Sequence, residues 1–169
     1  MCLCETYRAS WLEILARRTE VKLRPTEMDD FLTEPRIARI SSINQDGSPH
    51  IVPVVYLFFP DKGTFYFNTK TYTLTIKNLR RNPKVSVCVD DGSYPFRAVT
   101  VSGIAHISEE MENDHEGQKM LVDHFYGPEM WEDWIKSPKV EGIRVRVTIE
   151  PKKWKWWDQR RKLSGSVKI

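Results

Sequence analysis

The sequence predicts a single, mainly β domain with flanking helices, in which about six antiparallel strands form a small barrel. Short alternating or β-branched segments recur along the chain, and turn-forming residues separate them. Helix-compatible segments are short and lie between or beside these strands. No internal repeat and no low-complexity linker divides the chain, so we expect one barrel with helices packed around it.

The strand prediction rests on alternation and on turn chemistry. The predicted strands cover residues 36–43, 50–59, 64–69, 84–90, 98–107 and 142–150. Asp46 and Gly47 supply the turn chemistry of a hairpin between the first two strands. Pro53 cannot donate a backbone hydrogen bond, so its strand is expected at a sheet edge or at a bulge.

The helix prediction rests on amphipathic spacing and on capping residues. Predicted helices cover residues 5–19, 73–82, 109–125 and 129–136, and one more begins at Thr26. In that helix the acids after Thr26 suit an N-terminus, Phe31 and Leu32 are its expected buried residues, and Pro35 ends it. The expected organisation is an N-terminal helical extension (1–25), a barrel core (26–158) and a basic tail (159–169), all within one domain of residues 1–169.

Composition excludes several classes of protein. The chain has 169 residues, of which 40% are hydrophobic and 29% charged, as in a globular domain rather than a collagen-like, coiled-coil or disordered one. No apolar run reaches the roughly 18 residues of a membrane-spanning helix, and the first residues lack a secretory signal pattern. Three cysteines are too few for a disulfide framework. We therefore expect a cytoplasmic protein without a membrane partner.

Common catalytic and metal motifs are missing. The sequence has no glycine-rich phosphate loop, no His-Glu-x-x-His motif and no serine in a nucleophile-elbow context. Its four histidines lack zinc-ligand spacing, so no metal site is expected. Cys88 lies within an apolar strand, where a buried small side chain is the simplest interpretation. No catalytic side chain is assigned from these patterns.

Threonines and lysines are concentrated at one strand–helix junction. Thr69, Thr73 and Thr75 precede Lys77, where a strand gives way to a short helix. Hydroxyl groups, ammonium groups and a helix N-terminus are what a phosphate monoester needs. Two interpretations remain open here, a phosphate site and a polar loop with a capped helix.

Positive charge is concentrated at the C-terminus. Residues 151–169 contain seven basic residues against Asp158, a net charge of +6, so the first 150 residues carry −3 of the total of +3. Such a tail suits a phosphate, a nucleic acid or another subunit's acidic face. Lysines and arginines alternate there with Trp154, Trp156 and Trp157, which allows a single-stranded nucleic-acid-binding module. Packing of these tryptophans at a subunit interface is the favoured interpretation.

An ordered set of segments resembles a known family. The segments are IARISSIN (37–44), GSPHIVPV (47–54), FYFNT (65–69), KNLRRNPKVSV (77–87), VSGIA (101–105) and IEPKKWKWWD (149–158). In this order they resemble the pyridoxamine 5′-phosphate oxidase-like, FMN-binding split-barrel family over roughly residues 26–158. The resemblance implies a split β-barrel and a flavin-dependent oxidoreductase that transfers hydride or electrons to or from a small organic substrate.

The resemblance also implies where the cofactor lies. Family members are typically homodimers with FMN in a groove between the subunits. The implied cofactor-binding residues lie on the strand along the flavin ring, at the phosphate turn and at the C-terminal end that reaches the partner's flavin. They are His50, Ile51, Val52, Pro53, Asn68, Thr69, Thr73, Thr75, Lys77, Trp157 and Arg160. A nicotinamide electron donor fits this class of protein.

One position departs from the family pattern. The family's phosphate lysine stands three residues before the Asn-Leu pair, and that position is Thr75 here, with lysine at Lys77 instead. A deazaflavin cofactor, or a flavin-binding protein without turnover, is therefore an alternative to an FMN enzyme. The family's arginine-rich C-terminal signature is also not matched, so pyridoxine phosphate is not the expected substrate.

Three residues are candidates for the substrate side of the groove. They are Arg39, Arg97 and His106, all on predicted strands or beside them. The ordinary interpretation of each one is a solvated or core-satisfied strand residue, and this interpretation is favoured.

Overall fold

The computed structural model describes residues 26–160. The predicted helix at residues 5–19 and the tail beyond Arg160 lie outside the described residues. The strands are β1 (Ile37–Ile43), β2 (Pro49–Val55), β3 (Leu57–Phe59), β4 (Thr64–Lys70), β5 (Lys84–Asp90), β6 (Arg97–Ile107), β7 (Met111–Glu112) and β8 (Ile143–Asp158). The helices are α1 (Thr26–Thr33), α2 (Leu74–Arg81), α3 (His115–Tyr126) and α4 (Trp131–Ile135), with a 3₁₀ turn at Pro128–Met130 before α4.

All the strands belong to one antiparallel sheet. Its order is β2-β1-β5-β6-β8-β4-β3, and β7 pairs with β8 beside this path. The first and last strands of the path, β2 and β3, follow each other in the chain with only Tyr56 between them. The sheet therefore curls into a half-barrel, which confirms the predicted mainly β fold with flanking helices.

The sheet has eight strands rather than about six, because the predicted strand at residues 50–59 divides in two and the short strand β7 is added. At Tyr56 the chain stops pairing with β1 and begins to pair with β4. The Tyr56 ring is 1% exposed, and its hydroxyl donates to the carbonyl of Leu32 at 2.9 Å. This buried aromatic residue fixes the point at which the chain changes its pairing partner. The alternation of residues in the sequence does not reveal that point.

The predicted helix at 109–125 begins later than expected. Met111 and Glu112 form the short strand β7 on β8, and Asp114 then caps α3 by accepting the backbone N–H of Gly117 at 3.1 Å. The acidic residues within 109–113 suit a helix start, but Met111 and Glu112 pair with β8 instead of forming the first turn of the predicted helix.

Strand β8 is longer than the predicted strand at 142–150. It continues to Asp158, and Pro151 is accommodated at a bulge where the register with β6 shifts between Ser102 and Gly103. A Cβ at Gly103 would lie 2.4 Å from the carbonyl oxygen of Glu150, so only glycine fits this close approach.

The core lies inside the curl of the sheet. Alternate side chains of β1, β4, β5, β6 and β8 face it, including Ile40, Phe65, Val87, Val101 and Val147. Helix α1 closes one end with Phe31 and Leu32, both 0% exposed, which confirms the predicted burial of these two residues. Within residues 26–160 no helix is both long and apolar enough to cross a membrane.

Candidate functional site

The half-barrel has a gap where β2 and β4 part. Strand β3 pairs with β4 from Phe59 to Leu57, where Leu57 lies opposite Tyr66. Continuation of that register would place Val55 opposite Asn68, but Val55 pairs only with Ile37 of β1 among residues 26–160. We call this gap, with β2 on one side and the end of β4 and the start of α2 on the other, the split.

Strand β2 forms one wall of the split and confirms the edge position predicted from Pro53. It pairs with β1 and with no other described strand. Its side chains alternate: Ile51 and Pro53 are exposed, whereas His50 and Val52 are half-buried. Because an edge strand leaves N–H and C=O groups free, this wall can bind the polar edge of a planar ligand.

The start of helix α2 forms the opposite wall. Thr73 caps the helix: its hydroxyl accepts the N–H of Ile76 at 3.4 Å and donates to the carbonyl of Lys70 at 3.1 Å. Thr75 is 6% exposed, and its Oγ1 lies 3.3 Å from Nε2 of His50 on β2. This contact brings together two predicted cofactor-binding residues that are 25 positions apart in the chain.

The predicted phosphate residues of α2 lie on different faces of the helix. Thr75 is buried, whereas Lys77 is exposed. Two residues along an α-helix correspond to about 200° of rotation, so the Lys77 side chain begins on the opposite side from Thr75. Lys70 at the end of β4 is half-buried and is the other cation near the cap.

A buried asparagine fixes α2 against the sheet. Asn78 is 0% exposed, and its Nδ2 donates to Asn44 Oδ1 at 2.8 Å and to Ser42 Oγ at 3.3 Å. Its Oδ1 accepts a hydrogen bond from Arg81 at 3.0 Å. The position of Thr75 in the split therefore depends on a polar anchor one turn further along the helix.

The two predicted residues at the end of β4 make different contacts. Thr69 pairs with Val145 of β8 within the sheet. The side chain of Asn68 is already committed: Oδ1 accepts from Arg144 at 2.8 Å, and Nδ2 donates to Asp114. Asn68 thus belongs to a polar network beside the split, rather than being free to bind a phosphate.

An ion pair stabilises that network. Arg146 donates to both carboxylate oxygens of Asp114, at 2.6 and 3.1 Å, and to Glu116 at 2.9 Å. Burial alone would lower the pKa of Arg146, but the hydrogen bonds to Asp114 and Glu116 raise it overall. The Asp114 side chain is only 2% exposed, so its charge is paired inside the protein.

The two predicted C-terminal residues lie away from this split in the same chain. Strand β4, which borders the split, pairs with residues 144–149 at the start of β8, whereas Trp157 and Asp158 lie at the far end of β8, opposite Ala98 and Arg97 of β6. Trp157 is 44% exposed, and Arg160 pairs with Asp158 at 2.6 Å. Arg160 and Asp158 line a cleft of about 450 Å³ beside Phe31 of α1.

The cleft also includes one of the three substrate-side candidates. Arg97 lies 4.7 Å from the centre of the Phe31 ring and pairs with Asp91 at 2.6 Å. The other two candidates lie elsewhere on the sheet: Arg39 pairs with Asp90, and His106 lies 3.3 Å from Glu150. All three have partners on the protein.

The C-terminal tryptophans divide between the core and the surface. Trp154 and Trp156 pack against the core, and Trp156 lies 5.4 Å from the Phe31 ring. Of the three tryptophans at the end of β8, Trp157 is the one classed as exposed. A row of stacking platforms for nucleic-acid bases is therefore not present at this end of β8.

The outer face of β1 and β2 carries several exposed apolar side chains. Ile37, Ile43 and Ile51 are 44%, 36% and 61% exposed, and the strand register places them on the same face as Pro49 and Pro53. Arg39, opposite Pro53, and Ser41, opposite Ile51, lie on the same face and interrupt the apolar surface. Exposed apolar side chains close together on one sheet face suit an interaction site.

Other ionisable groups point to neither a metal nor a reactive thiol. Within residues 26–160, no group of three or more histidine, cysteine or acidic residues could hold a metal ion. Burial raises the pKa of the Cys88 thiol, which disfavours the reactive thiolate.

Sequence reasoning assigned no role to four residues of the site region. These are Asn78, Asp114, Arg144 and Arg146. Asn78 is the first residue of the family's Asn-Leu pair, so a signal was present for it. The other three come together only when β4, β8 and α3 pack, and nothing in their local sequence indicates this.

The donors at the split fit a phosphate-bearing ring. The first turn of α2 presents backbone N–H groups, Thr75 adds a hydroxyl, and Lys70 and Lys77 supply positive charge nearby. The free edge of β2 adds backbone donors and acceptors for a planar ring. These chemical types match a flavin carrying a phosphate.

Comparison with known proteins agrees with this fold. The sequence profile of the pyridoxamine 5′-phosphate oxidase family matches residues 25–158, more than half of the chain. Fold and sequence together define a split-barrel protein. The chain belongs to the pyridoxamine 5′-phosphate oxidase family. No curated protein sequence matches it significantly.

Several solved structures share the fold. A conserved hypothetical protein of Mycobacterium tuberculosis is 27% identical, with a TM-score of 0.67 over 90% of this chain and 95% of the other. An F420 reductase is 20% identical, with a TM-score of 0.60 over 75% and 94%. An FAD-binding protein of Mesorhizobium loti is 24% identical, with a TM-score of 0.54 over 79% and 94%. The similarity to the F420 reductase and to the FAD-binding protein shows a shared fold and no more than that.

Proposed function

We propose that this protein is a flavin-binding oxidoreductase that transfers hydride or electrons to or from a small organic substrate. The observation that carries the proposal is the contact between Thr75 and His50, which joins the start of α2 to the free edge of β2. It supports the proposal because it brings the start of α2, which suits a phosphate, opposite the free edge of β2, which suits a planar ring.

Each wall has a separate task in this proposal. The start of α2 binds the phosphate through backbone N–H groups and the Thr75 hydroxyl, and the helix dipole favours the negative charge. The β2 edge from His50 to Pro53 orients the ring through its backbone. Bound flavin supplies the redox chemistry, and the chain supplies position, electrostatics and exclusion of water.

FMN is the proposed cofactor, and a deazaflavin is the alternative. The family favours FMN, and the fold is shared with an F420 reductase and an FAD-binding protein. Thr75 takes the place of a charged lysine, and Lys77 begins on the far side of α2, so less fixed charge faces a phosphate at Thr75. This geometry keeps the deazaflavin as a specific second candidate.

The proposed working unit is a homodimer. The exposed isoleucines on the outer face of β1 and β2 give two copies an apolar surface to bury. Trp157 lies at the end of β8 remote from β4, and Arg160 follows it, so in this proposal they act on the flavin bound by the partner. The cleft beside Arg160 would then face the second subunit's cofactor.

The proposal is tested by the visible absorption spectrum of the purified protein, recorded before and after incubation with FMN or the deazaflavin F420 and desalting. Retention of either cofactor, followed by anaerobic bleaching with a reduced nicotinamide, supports an oxidoreductase. Retention without bleaching by any donor or substrate would indicate a flavin-binding protein without turnover. Retention of neither cofactor would contradict the site assignment.

A further inference from the structure

A small pocket lies where β2 and β4 part. Val55 at the end of β2 and Asn68 of β4 both contribute to its wall, and these are the two residues that would face each other if β4 continued its pairing past Leu57. Helices α3 and α4 add Leu121 and Trp134 to the wall. The pocket therefore borders the split.

Most of the pocket wall is apolar. Of the eight residues that form it, three are aliphatic and two are aromatic, namely Val55, Leu121, Val122, Tyr126 and Trp134. Leu121 and Val122 are buried, and the rings of Tyr126 and Trp134 stack with their centres 5.8 Å apart. Such a wall favours an apolar ligand, because transfer of an apolar group out of water is favourable and needs no directional partner.

The polar residues of the wall already have partners inside the protein. Each nitrogen of the Arg144 guanidinium donates to an oxygen of the chain, one on the Asn68 side chain and two on backbone carbonyls. Asp114, which accepts from Asn68, offsets the charge of Arg144. Gln118 Nε2 donates to two backbone carbonyls, both at 3.2 Å. These donors are used without a ligand, so the wall selects its ligand by shape and hydrophobicity.

The volume limits the ligand to a small group. It is about 80 Å³, roughly half that of an engineered apolar cavity of about 150 Å³ that binds benzene. A water molecule takes about 30 Å³ in the liquid, so the pocket has room for about three groups of that size. An isopropyl group, with three carbons in a compact shape, matches this space.

The pocket lies a short distance along β2 from the proposed flavin ring. Val55 is two residues beyond Pro53 on the same face of the strand, about 7 Å away at the usual rise of a strand. Pro53 is the last of the β2 residues proposed to orient the ring. A small substrate that reacts at the ring can therefore reach the pocket with its far end.

We propose that this pocket binds the branched apolar end of the substrate, a group of the size of isopropyl. The inference rests on the proposed function, since it takes the split as the place of reaction. It narrows the substrate to a small organic compound whose reacting group lies about 7 Å from a branched alkyl end. Val55 then determines specificity, because it forms the side of the pocket next to the ring.

The first test is made without flavin, on the full chain labelled with ¹³C at its leucine and valine methyl groups. 2-Methylpropan-1-ol is the probe, and 2-methylpropane-1,3-diol, which carries a second hydroxyl on the branched end, is the matched control. We expect saturable shifts of the Val55, Leu121 and Val122 methyl signals with the alcohol. The diol should bind at least tenfold more weakly, because burial of a hydroxyl without a partner is unfavourable. Equal affinities, or no saturable shift with the alcohol, would overturn the proposal.

Two variants supply the protein control. Val55→Phe fills the pocket from β2, and Ile43→Phe enlarges an exposed residue of β1 outside the pocket wall. We expect Val55→Phe to bind the alcohol at least tenfold more weakly than the wild-type protein, and Ile43→Phe to bind it equally well. Equal affinity in both variants would overturn the proposal. The comparison of alcohol and diol on the wild-type protein decides the matter even where Val55→Phe does not fold.

A second titration, on protein loaded with FMN, separates this inference from the proposed function. The probe is 6-methylheptan-2-one, which has an isopropyl end and a distant carbonyl, and its straight-chain isomer octan-2-one is the control. We expect the branched ketone to shift the flavin absorption band at a concentration at least threefold lower than octan-2-one. Equal effects of the two ketones would overturn the assignment of the pocket to the substrate. Failure to retain either FMN or F420 would instead contradict the proposed function, and the methyl shifts, which need no flavin, decide the pocket separately.

Discussion

Single side chains decide how the split is built. Thr75 and His50 meet across it at 3.3 Å, Thr73 is used as a helix cap, and Lys77 is exposed. The sequence predicts that the residue types at this junction suit a phosphate, but it does not predict which way each side chain points. Helical rotation separates Thr75 from Lys77, and packing of α2 decides which of them faces β2.

The Thr75 hydroxyl provides the first prediction. Thr75→Val keeps the shape and removes the donor, so we expect FMN affinity to fall at least tenfold, since a hydrogen bond to a charged group contributes about 1.5–3 kcal/mol. Fluorescence titration of FMN measures this change. Thr64→Val is the matched control, because the Thr64 hydroxyl is buried without a partner in residues 26–160. Equal affinity in both variants would remove Thr75 from the site.

The Asp114 carboxylate provides the second prediction. Asp114→Ala leaves Arg146 without its main partner and removes the α3 cap, so we expect a loss of about 3–5 kcal/mol in the free energy of unfolding. Urea denaturation measures it. Asp123→Ala breaks an exposed pair with Lys119 and should cost no more than about 1 kcal/mol. A loss of similar size in both variants would show that the Asp114 pair contributes no more than a surface pair.

Helices and strands could be predicted where local sequence decides them. The strand at 84–90 has the predicted bounds, and α1 ends before Pro35 as expected. Predictions failed where tertiary contacts decide: at Tyr56, where the strand changes partner, and at Pro151, which a bulge accommodates opposite Gly103. The observed start of α3 is later than the predicted one for the same reason, because Met111 pairs with β8.

The anchor of α2 provides the third prediction. Asn78→Ala removes hydrogen bonds to Ser42, Asn44 and Arg81, and we expect a loss of about 2 kcal/mol or more in the free energy of unfolding. FMN affinity should fall as well, because the same helix carries Thr75. Asn82→Ala, at the half-exposed C-terminal cap of α2, should leave FMN affinity unchanged. An Asn78→Ala protein that binds FMN normally would show that the anchor does not position the site.

The whole molecule presents two half-sites at a distance from each other. The split borders the start of β8, and the cleft at Arg160 lies beyond its far end; exposed isoleucines lie on the outside of β1 and β2. The basic charge of the tail was evident from the sequence, but the separation of Trp157 from the split depends on how β8 pairs with β4 and β6. Strand order comes from pairing between distant segments, which no local pattern specifies.

The apolar face provides the fourth prediction. Ile51→Lys places a charge at the most exposed isoleucine of the outer face of β1 and β2, so we expect the protein to become monomeric and to bind FMN at least tenfold more weakly. Light scattering after size exclusion measures the mass. Ile135→Lys changes another exposed isoleucine, on α4, and should leave the dimer intact. A wild-type protein that is itself monomeric would refute the dimer.

The most direct test of the central claim is a fluorescence titration of FMN, and separately of F420, with the purified full-length protein. The account predicts saturable binding of at least one of the two, at one cofactor per chain, with loss of affinity in Thr75→Val but not in Thr64→Val. Failure of both cofactors to bind at any protein concentration would contradict a flavin site in the split.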